Sequence, residues 1–318
     1  MKQATDNIRR LFAAALLCLL VAVISGCAAG GAAPEMPVFE IRSGELNRRG
    51  VDAFRRGELE RAERMFAASL AVNRSVDNRR GEALDLINLG RVYTAMGRFK
   101  EADSVLGDAA ALAGALDDGG LAGEVHATLA KAAFLSGNLE KALQHIEESL
   151  KTDGALGYKG EGGRLTLKAL ILIETGRPGE ASGPLARSLD LARSDGDRAG
   201  EANALRAMAL VEAAAGRTTP AIELFEAAYE IDAASGSTGK VAYGLERMAG
   251  LHRRAGRPGK AAFLLERAYR VNLSGGFSER AAEDLSTLIE TCTEMGDGAG
   301  AARWSEVRDR IRKTARPR

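Results

Sequence analysis

The chain has 318 residues, a formal net charge of +1 and 27% charged residues, while aromatic residues make up only 5%. A charge balance so close to neutral excludes the strongly basic character of a protein that binds nucleic acid through its phosphates. Length and composition fit one elongated helical domain.

The first 26 residues predict a targeting segment. Lys2, Arg9 and Arg10 form a positive beginning, and an apolar stretch follows over residues 11–24. This stretch is shorter than the roughly 20 residues of a membrane-spanning helix. It has the length of the apolar part of a signal peptide.

The signal ends in the sequence Ile-Ser-Gly-Cys over residues 24–27. This resembles the lipobox of bacterial lipoproteins, in which an aliphatic residue and two small residues precede the cysteine. The resemblance implies cleavage before Cys27, lipidation of its thiol and attachment to a membrane. Since Ala28 follows rather than aspartate, it also implies the outer membrane, with the chain facing the periplasm. An ordinary secretory signal, cut after Ala29 or Ala33, is the alternative.

Residues 27–42 predict a flexible tether, because they are rich in glycine, alanine and proline. Cys18 would leave with the signal peptide and Cys27 would carry lipid. Cys292 would then be the remaining thiol, so we expect no disulfide within the mature chain. A single cysteine on an apolar helix face is typical of core packing.

Residues 43–313 repeat a pattern about every 40 residues, which is typical of a solenoid. The turn glycines are Gly57, Gly97, Gly137, Gly176, Gly216, Gly256 and Gly296, and an alanine follows each by five residues: Ala62, Ala102, Ala142, Ala181, Ala221, Ala261 and Ala301. Each glycine suits a helix end with positive φ. Each alanine suits a close crossing of two helices. We expect helix pairs of about 28 to 32 residues, separated by linkers rich in glycine, aspartate and serine.

The glycine turn, Tyr93 and the crossing alanine resemble the tetratricopeptide repeat, in a longer form of about 40 residues. The resemblance implies an all-α fold, a right-handed α-solenoid superhelix of seven helix pairs. An unrelated helical bundle is the alternative. The end repeats are atypical, as capping repeats should be, since Arg49 in the first repeat, and Ile289 and Ser305 in the last, depart from the repeat pattern. The last helix predicts a cap, and residues 314–318 a basic tail.

No catalytic or cofactor-binding motif stands out. His126, His145 and His252 lack metal-ligand spacing. His126 replaces a core leucine and predicts a buried, hydrogen-bonded histidine. The glycines of residues 160–163 lack the lysine of a phosphate-binding loop and predict a turn. We therefore expect no enzyme, no cofactor and no metal.

The candidate binding residues are Arg48, Asn88, Arg91 and Lys131. In the resembled family the first helix of each pair lines the concave surface, which implies that these four residues form a polar, basic strip there. Asn88 matches the position that grips a peptide backbone, since an amide both donates and accepts. Further along, Leu167, Leu170 and Leu210 predict an apolar stretch. Such a groove suits a peptide with an acidic part and an apolar anchor. The alternative is that these charges only solvate the surface.

The resemblance thus implies a lipid-anchored scaffold of the bacterial envelope that binds another protein or a peptide, in the assembly of a pilus, a secretion channel or outer-membrane proteins. The alternative function is a sensor whose superhelix changes pitch when it binds a peptide. Neither requires nucleic acid.

Overall fold

The computed structural model describes residues 38–156 and 160–315, and all regular elements in these ranges are α-helices. There are fourteen of them: α1 (Val38–Arg55), α2 (Leu59–Ser75), α3 (Arg79–Ala95), α4 (Phe99–Ala115), α5 (Gly119–Leu135), α6 (Leu139–Leu156), α7 (Glu161–Glu174), α8 (Pro178–Ser194), α9 (Arg198–Ala214), α10 (Thr218–Ala234), α11 (Thr238–Arg254), α12 (Pro258–Ser274), α13 (Ser278–Glu294) and α14 (Gly298–Ala315). They stack as seven consecutive pairs, here called repeats one to seven. The predicted all-α solenoid is confirmed.

All seven turn glycines have positive φ, as the repeat requires. The turns between repeats were predicted wrongly, however. Apart from the turn that contains residues 157–159, which the structure does not describe, they are as short as the turns within repeats, and Gly196, Gly236 and Gly276 have the same positive φ. Asp77 and Asp117 adopt this conformation without being glycines. Each described repeat therefore consists of two long helices and two tight turns, and residues such as Gly119 and Gly239 belong to helices rather than to linkers.

The crossing alanines lie where the two helices of a pair approach most closely. Ala62, Ala102, Ala142, Ala181, Ala221 and Ala261 are fully buried. On the facing helix, a Cβ added at Gly90 would lie 2.6 Å from the side chain of Leu106. A small residue on one helix thus makes room for a large one on the other, and larger side chains would force the helices apart.

A second column of small buried residues, which the sequence analysis missed, lies on the second helix of each pair. It consists of Ser69, Ala109, Ser149, Ser188, Ala228 and Ala268. The serine hydroxyls donate to backbone carbonyls of the first helix: Ser69 to Ser43 at 3.1 Å, Ser149 to Gly123 at 2.8 Å and Ser188 to Gly162 at 2.7 Å. These bonds join the two helices of a pair and satisfy the serine hydroxyl at a buried position that other repeats fill with alanine.

Both ends of the solenoid extend beyond the predicted bounds. Helix α1 begins at Val38, inside the predicted tether, and the bond between Ser69 and Ser43 holds its second turn against α2. Helix α14 continues to Ala315, and its Trp304 packs in the last core cluster with Cys292. Cys292 is thus a core residue, as expected. None of the described helices is long and apolar enough to cross a membrane. The predicted signal segment and Cys27 lie outside the described residues.

Candidate binding groove on the concave surface

The first helices of the pairs line the inner surface of the solenoid. Between helices that are not consecutive, the substantial contacts join α1 to α3, α3 to α5, α5 to α7 and α7 to α9. All of these are first helices. Helices that contact each other across an intervening helix lie on the inside of a curved stack, so the first helices of repeats one to five form the concave side. This is where the resemblance implied that a partner would bind.

A cavity of about 460 Å³ opens on this surface between repeats one and four. Its apolar wall includes Phe54, Ala127, Leu135 and Leu167, which come from α1, α5 and α7. Its polar wall consists of Arg91, Glu124, Thr128, Lys131 and Arg164. The cavity therefore combines an apolar floor with a rim that has three cationic side chains and one carboxylate.

Glu124 lies between two arginines of neighbouring repeats. Nη2 of Arg164 donates to one of its carboxylate oxygens at 2.5 Å, and Arg91 pairs with the other. Arg164 is only 6% exposed. Burial lowers the pKa of Arg164, and the charge of Glu124 opposes that shift. With Lys131, the rim has three cationic side chains against one carboxylate, so it carries a positive excess.

The structure brings two of the four predicted binding residues into this cavity. Arg91 and Lys131 both line it, and Lys131 is exposed. Asn88 lies beside it and accepts a hydrogen bond from Nη1 of Arg91 at 3.1 Å. Arg48 is exposed on α1 and is not among the lining residues. That these residues bind a partner stays a prediction.

Glu124 and Arg164 were not singled out from the sequence. The sequence nevertheless contained a signal for them. Arg164 stands five residues before Ala169, at the repeat position that Val125, Ala204 and Gly244 occupy in other repeats. Because this position is buried in those three repeats, a charged residue there requires a partner. Glu124, on the neighbouring helix, supplies it.

Asp85 and Asp284 occupy the same repeat position, each in a buried polar cluster. Nδ2 of Asn73 donates to Asp85 at 2.7 Å, and Nδ2 of Asn272 donates to Asp284 at the same distance. Burial raises the pKa of Asp85, and bonds from Asn47, Ser69 and Asn73 counteract the shift. Burial raises the pKa of Asp284 to about 7, with a further contribution from Glu246. In the second cluster Asp284 therefore titrates near neutral pH, beside the carboxyl group of Glu246.

His126 and His145 face each other on the two helices of repeat three. Their Nδ1 atoms lie 3.1 Å apart, so one must donate and the other accept. Burial lowers the pKa of both, and the charge of His126 further lowers that of His145. His126 is half-buried rather than buried as predicted, because its partner is a second polar ring at the surface. In the parts of the chain that the structure describes, no three potential ligands gather as a metal site would need.

An all-α solenoid of helix pairs with a concave groove is the architecture of repeat proteins that bind along their inner surface. Residues 45–115 and 164–234 match the model of the tetratricopeptide repeat family. These segments are therefore tetratricopeptide repeats, as the sequence resemblance implied. No curated protein sequence matches the chain significantly.

Three solved structures illustrate the likeness of the fold. A signal transduction ATPase with a tetratricopeptide repeat sensor, from Pyrococcus horikoshii, matches with a TM-score of 0.67 at 16% identity, over 87% of this chain and 42% of that one. A Rap protein complexed with Competence and Sporulation Factor matches with a TM-score of 0.65 at 14% identity, over 88% of this chain and 77% of that one. The Rap conjugation gene regulator of plasmid pLS20, in complex with the Phr* peptide, matches with a TM-score of 0.60 at 14% identity, over 76% and 65%. At such identities the likeness establishes the fold.

Proposed function

We propose that this protein is a lipid-anchored scaffold of the bacterial cell envelope that holds a peptide segment of a partner protein in its concave groove. The scaffold would take part in assembling an envelope complex, such as a pilus, a secretion channel or outer-membrane machinery. The anchor rests on the lipobox at Cys27. The binding role rests on one observation, the apolar cavity with a positive rim between repeats one and four.

The cavity favours a peptide that is apolar in one part and acidic in another. Phe54, Leu135 and Leu167 offer apolar surface to a large side chain, whose burial stabilises a complex by about 25 cal/mol per Å². Lys131 has no carboxylate partner among the described residues, and it can pair with a carboxylate of the ligand. Charge-assisted hydrogen bonds of this kind are the strong ones.

A peptide-sensing role is the second candidate, and the likeness to the Rap regulator solved with the Phr* peptide favours it. A sensor would bind a short free peptide, whereas a scaffold would bind a segment of a folded partner. A pull-down from crosslinked membranes separates the two. A stoichiometric envelope protein supports the scaffold, and short peptides that co-purify support the sensor.

The groove is tested by the double substitution Arg91→Glu with Lys131→Glu. It replaces two cations of the rim by carboxylates next to Glu124, so an acidic ligand would meet repulsion. We expect partner recovery in the pull-down to fall about tenfold or more, since each charge-assisted contact is worth roughly tenfold in affinity. Both side chains are exposed. Loss of the exposed pair of Arg91 should cost about 0–1 kcal/mol of stability.

The matched control is Arg64→Glu with Lys100→Glu. These exposed residues lie on α2 and α4, which are second helices, so the substitutions make the same change in net charge outside the groove. Circular dichroism checks that both double variants keep their helices. Wild-type recovery by the groove variant, with its helices intact, would place the binding surface elsewhere.

A further inference from the structure

A second pocket lies where the two ends of the solenoid face each other across its concave side. It has a volume of about 690 Å³ and is formed by the end of α1, the turn before α11 and the starts of α11 and α13. Five of its lining residues are basic: Arg55, Arg56, Arg206, Lys240 and Arg280. No aspartate or glutamate is among its described lining residues. The whole chain is nearly neutral, so a pocket lined by five basic residues and no acidic ones differs from the average of the chain.

Two of the five charges are compensated nearby. Arg56 pairs with Glu58 at 2.7 Å, and Arg206 pairs with the buried Asp232. Asp232 lies behind the pocket and does not line it. These two side chains therefore define the walls of the pocket more than they attract a ligand.

The other three cations form no ion pair with a carboxylate among the described residues. Arg55 is exposed at the end of α1. Nζ of Lys240 lies 3.4 Å from the neutral amide oxygen of Asn203, and its charge also acts on Asp232. Arg280 also lines a neighbouring pocket, together with the carboxyl residues Glu246, Glu283 and Asp284. Like charges that line one pocket repel one another, and an anion between them would reduce that repulsion.

The walls between the cations are small and polar. Gly236, Gly239 and Gly275 line the pocket together with Ser237 and Thr238. A Cβ added at Gly275 would lie 2.8 Å from the side chain of Thr238, so only glycine fits there without a shift. The hydroxyl of Ser237 does not cap α11. It lies 2.8 Å from Oγ of Ser235 and donates to it, because Ser235 donates its own hydrogen to the carbonyl of Asp232.

We propose that this pocket binds a polyvalent oxyanion of the phosphate class, which links repeat one to repeats five, six and seven. Three cations that form no ion pair favour a ligand with more than one negative charge, and the volume of the pocket exceeds that of a single phosphate group. Guanidinium groups pair with phosphate through two parallel hydrogen bonds. This inference rests on the charges of the pocket and is independent of the proposed peptide-binding function.

The anion pocket and the groove share the end of α1. Phe54 lines the apolar cavity, and Arg55, the next residue, lines the anion pocket. An anion that holds Arg55 would also restrict Phe54 and the mouth of the groove. If the groove binds a peptide, the two ligands are coupled, and each changes the affinity of the other by the same factor.

The test titrates the full chain, purified in detergent, with tripolyphosphate at low ionic strength by isothermal titration calorimetry. We expect binding that weakens with added salt, and weaker binding of orthophosphate than of tripolyphosphate. Arg55→Ala and Lys240→Ala should each weaken tripolyphosphate binding by about tenfold, the usual worth of one charge-assisted contact. Arg64→Ala with Lys100→Ala, outside the pocket, should leave it unchanged.

Two further measurements complete the test. Small-angle X-ray scattering should show a smaller radius of gyration with tripolyphosphate in the wild type, and no change in Arg55→Ala. Vesicles containing phosphatidylglycerol distinguish the sources of the phosphate: competition with tripolyphosphate assigns a lipid headgroup, and its absence assigns a soluble anion. Equal tripolyphosphate affinity in the wild type, Arg55→Ala and Lys240→Ala, with helices intact by circular dichroism, would overturn the proposal.

Discussion

Asp85 and Asp284 occupy the same position in two repeats, and two of their neighbours differ. Nδ2 of Asn47 donates to Asp85 at 2.8 Å, and a hydrogen bond from Ser69 also lowers the pKa of Asp85. In repeat six the equivalent residues are Glu246, which offers a carboxylate instead of an amide, and an alanine, which offers no hydrogen bond. Burial raises the pKa of Asp284, which is only 5% exposed, to about 7, and the charge of Glu246 adds to this rise. Two differences between repeats thus accompany a cluster that depends on pH near neutrality.

The sign of this dependence gives a prediction for Glu246→Gln. In the folded wild type Asp284 holds its proton up to about pH 7, whereas the unfolded chain releases it near pH 4. The folded state therefore binds more protons in this window, and the free energy of unfolding falls as pH rises through it. Glu246→Gln removes the like charge, so we expect it to raise the free energy of unfolding at pH 8 by about 1–3 kcal/mol, and by less at pH 5.

Urea denaturation of Glu246→Gln at the two pH values measures this difference. Glu279→Gln, an exposed position on α13, is the control for the change in charge. A Glu246→Gln variant whose stability matches the wild type at both pH values would show that the two carboxyl groups do not interact.

At the scale of the helix, close packing at the crossing alanines decides the geometry of each pair. Ala142 on α6 is fully buried and lies in a core cluster with Ala130, Ile146 and Ile171. We expect Ala142→Leu to overpack this crossing and lower the free energy of unfolding by about 1–3 kcal/mol. Ala111→Leu, on the exposed face of α4, makes the same chemical change without burial. Chemical denaturation should rank Ala142→Leu well below Ala111→Leu, and the reverse order would contradict the helix register.

At the scale of the whole molecule, stability comes from contacts between neighbouring repeats. The strongest contacts join consecutive helices, and the next join first helices of adjacent repeats. Stability of such a stack is roughly a sum of repeat and interface contributions. The core clusters follow one another along the chain, and the last one ends on Trp304 and Ile311. No disulfide is needed for this arrangement, since the free thiol of Cys292 is part of the packing.

The location of the whole molecule is tested at Cys27. The lipobox predicts that Cys27→Ser prevents lipidation and leaves an uncleaved precursor, because the modified thiol is what the processing step recognises in lipoproteins. Labelling with radioactive palmitate and the mobility of the product on a gel measure both effects. Cys18→Ser, within the apolar part of the signal segment, should be labelled and processed normally. Normal processing of Cys27→Ser would favour the ordinary secretory signal.

The sequence predicted the repeat and its packing well, because the features that specify them are local and periodic. The position of Gly57 and its equivalents requires glycine, and the position five residues later requires alanine. The turns between repeats were harder to predict, because Asp77 and Asp117 adopt a conformation that is typical of glycine. The groove was predicted in part: Arg91 and Lys131 meet there, but the role of Glu124 depends on contacts across repeats.

The sequence could not predict that Arg55 and Lys240 line the same pocket, because their approach depends on the curvature of the stack. Curvature is the sum of small angles at every repeat interface, and no single residue pattern encodes that sum. Residues of repeats one and six therefore line the same pocket without any signal in their local sequence.

With short turns throughout its described residues, the solenoid should deform elastically along its length. Because each described interface can yield only slightly, deformation is distributed along the coil, and slight rotations add up to a large displacement of its ends. An anion bound between repeat one and repeats five to seven would then carry a mechanical load. Pulling the two ends of the coil apart would require breaking the contacts of this anion first, and the force needed would depend on the anions in solution.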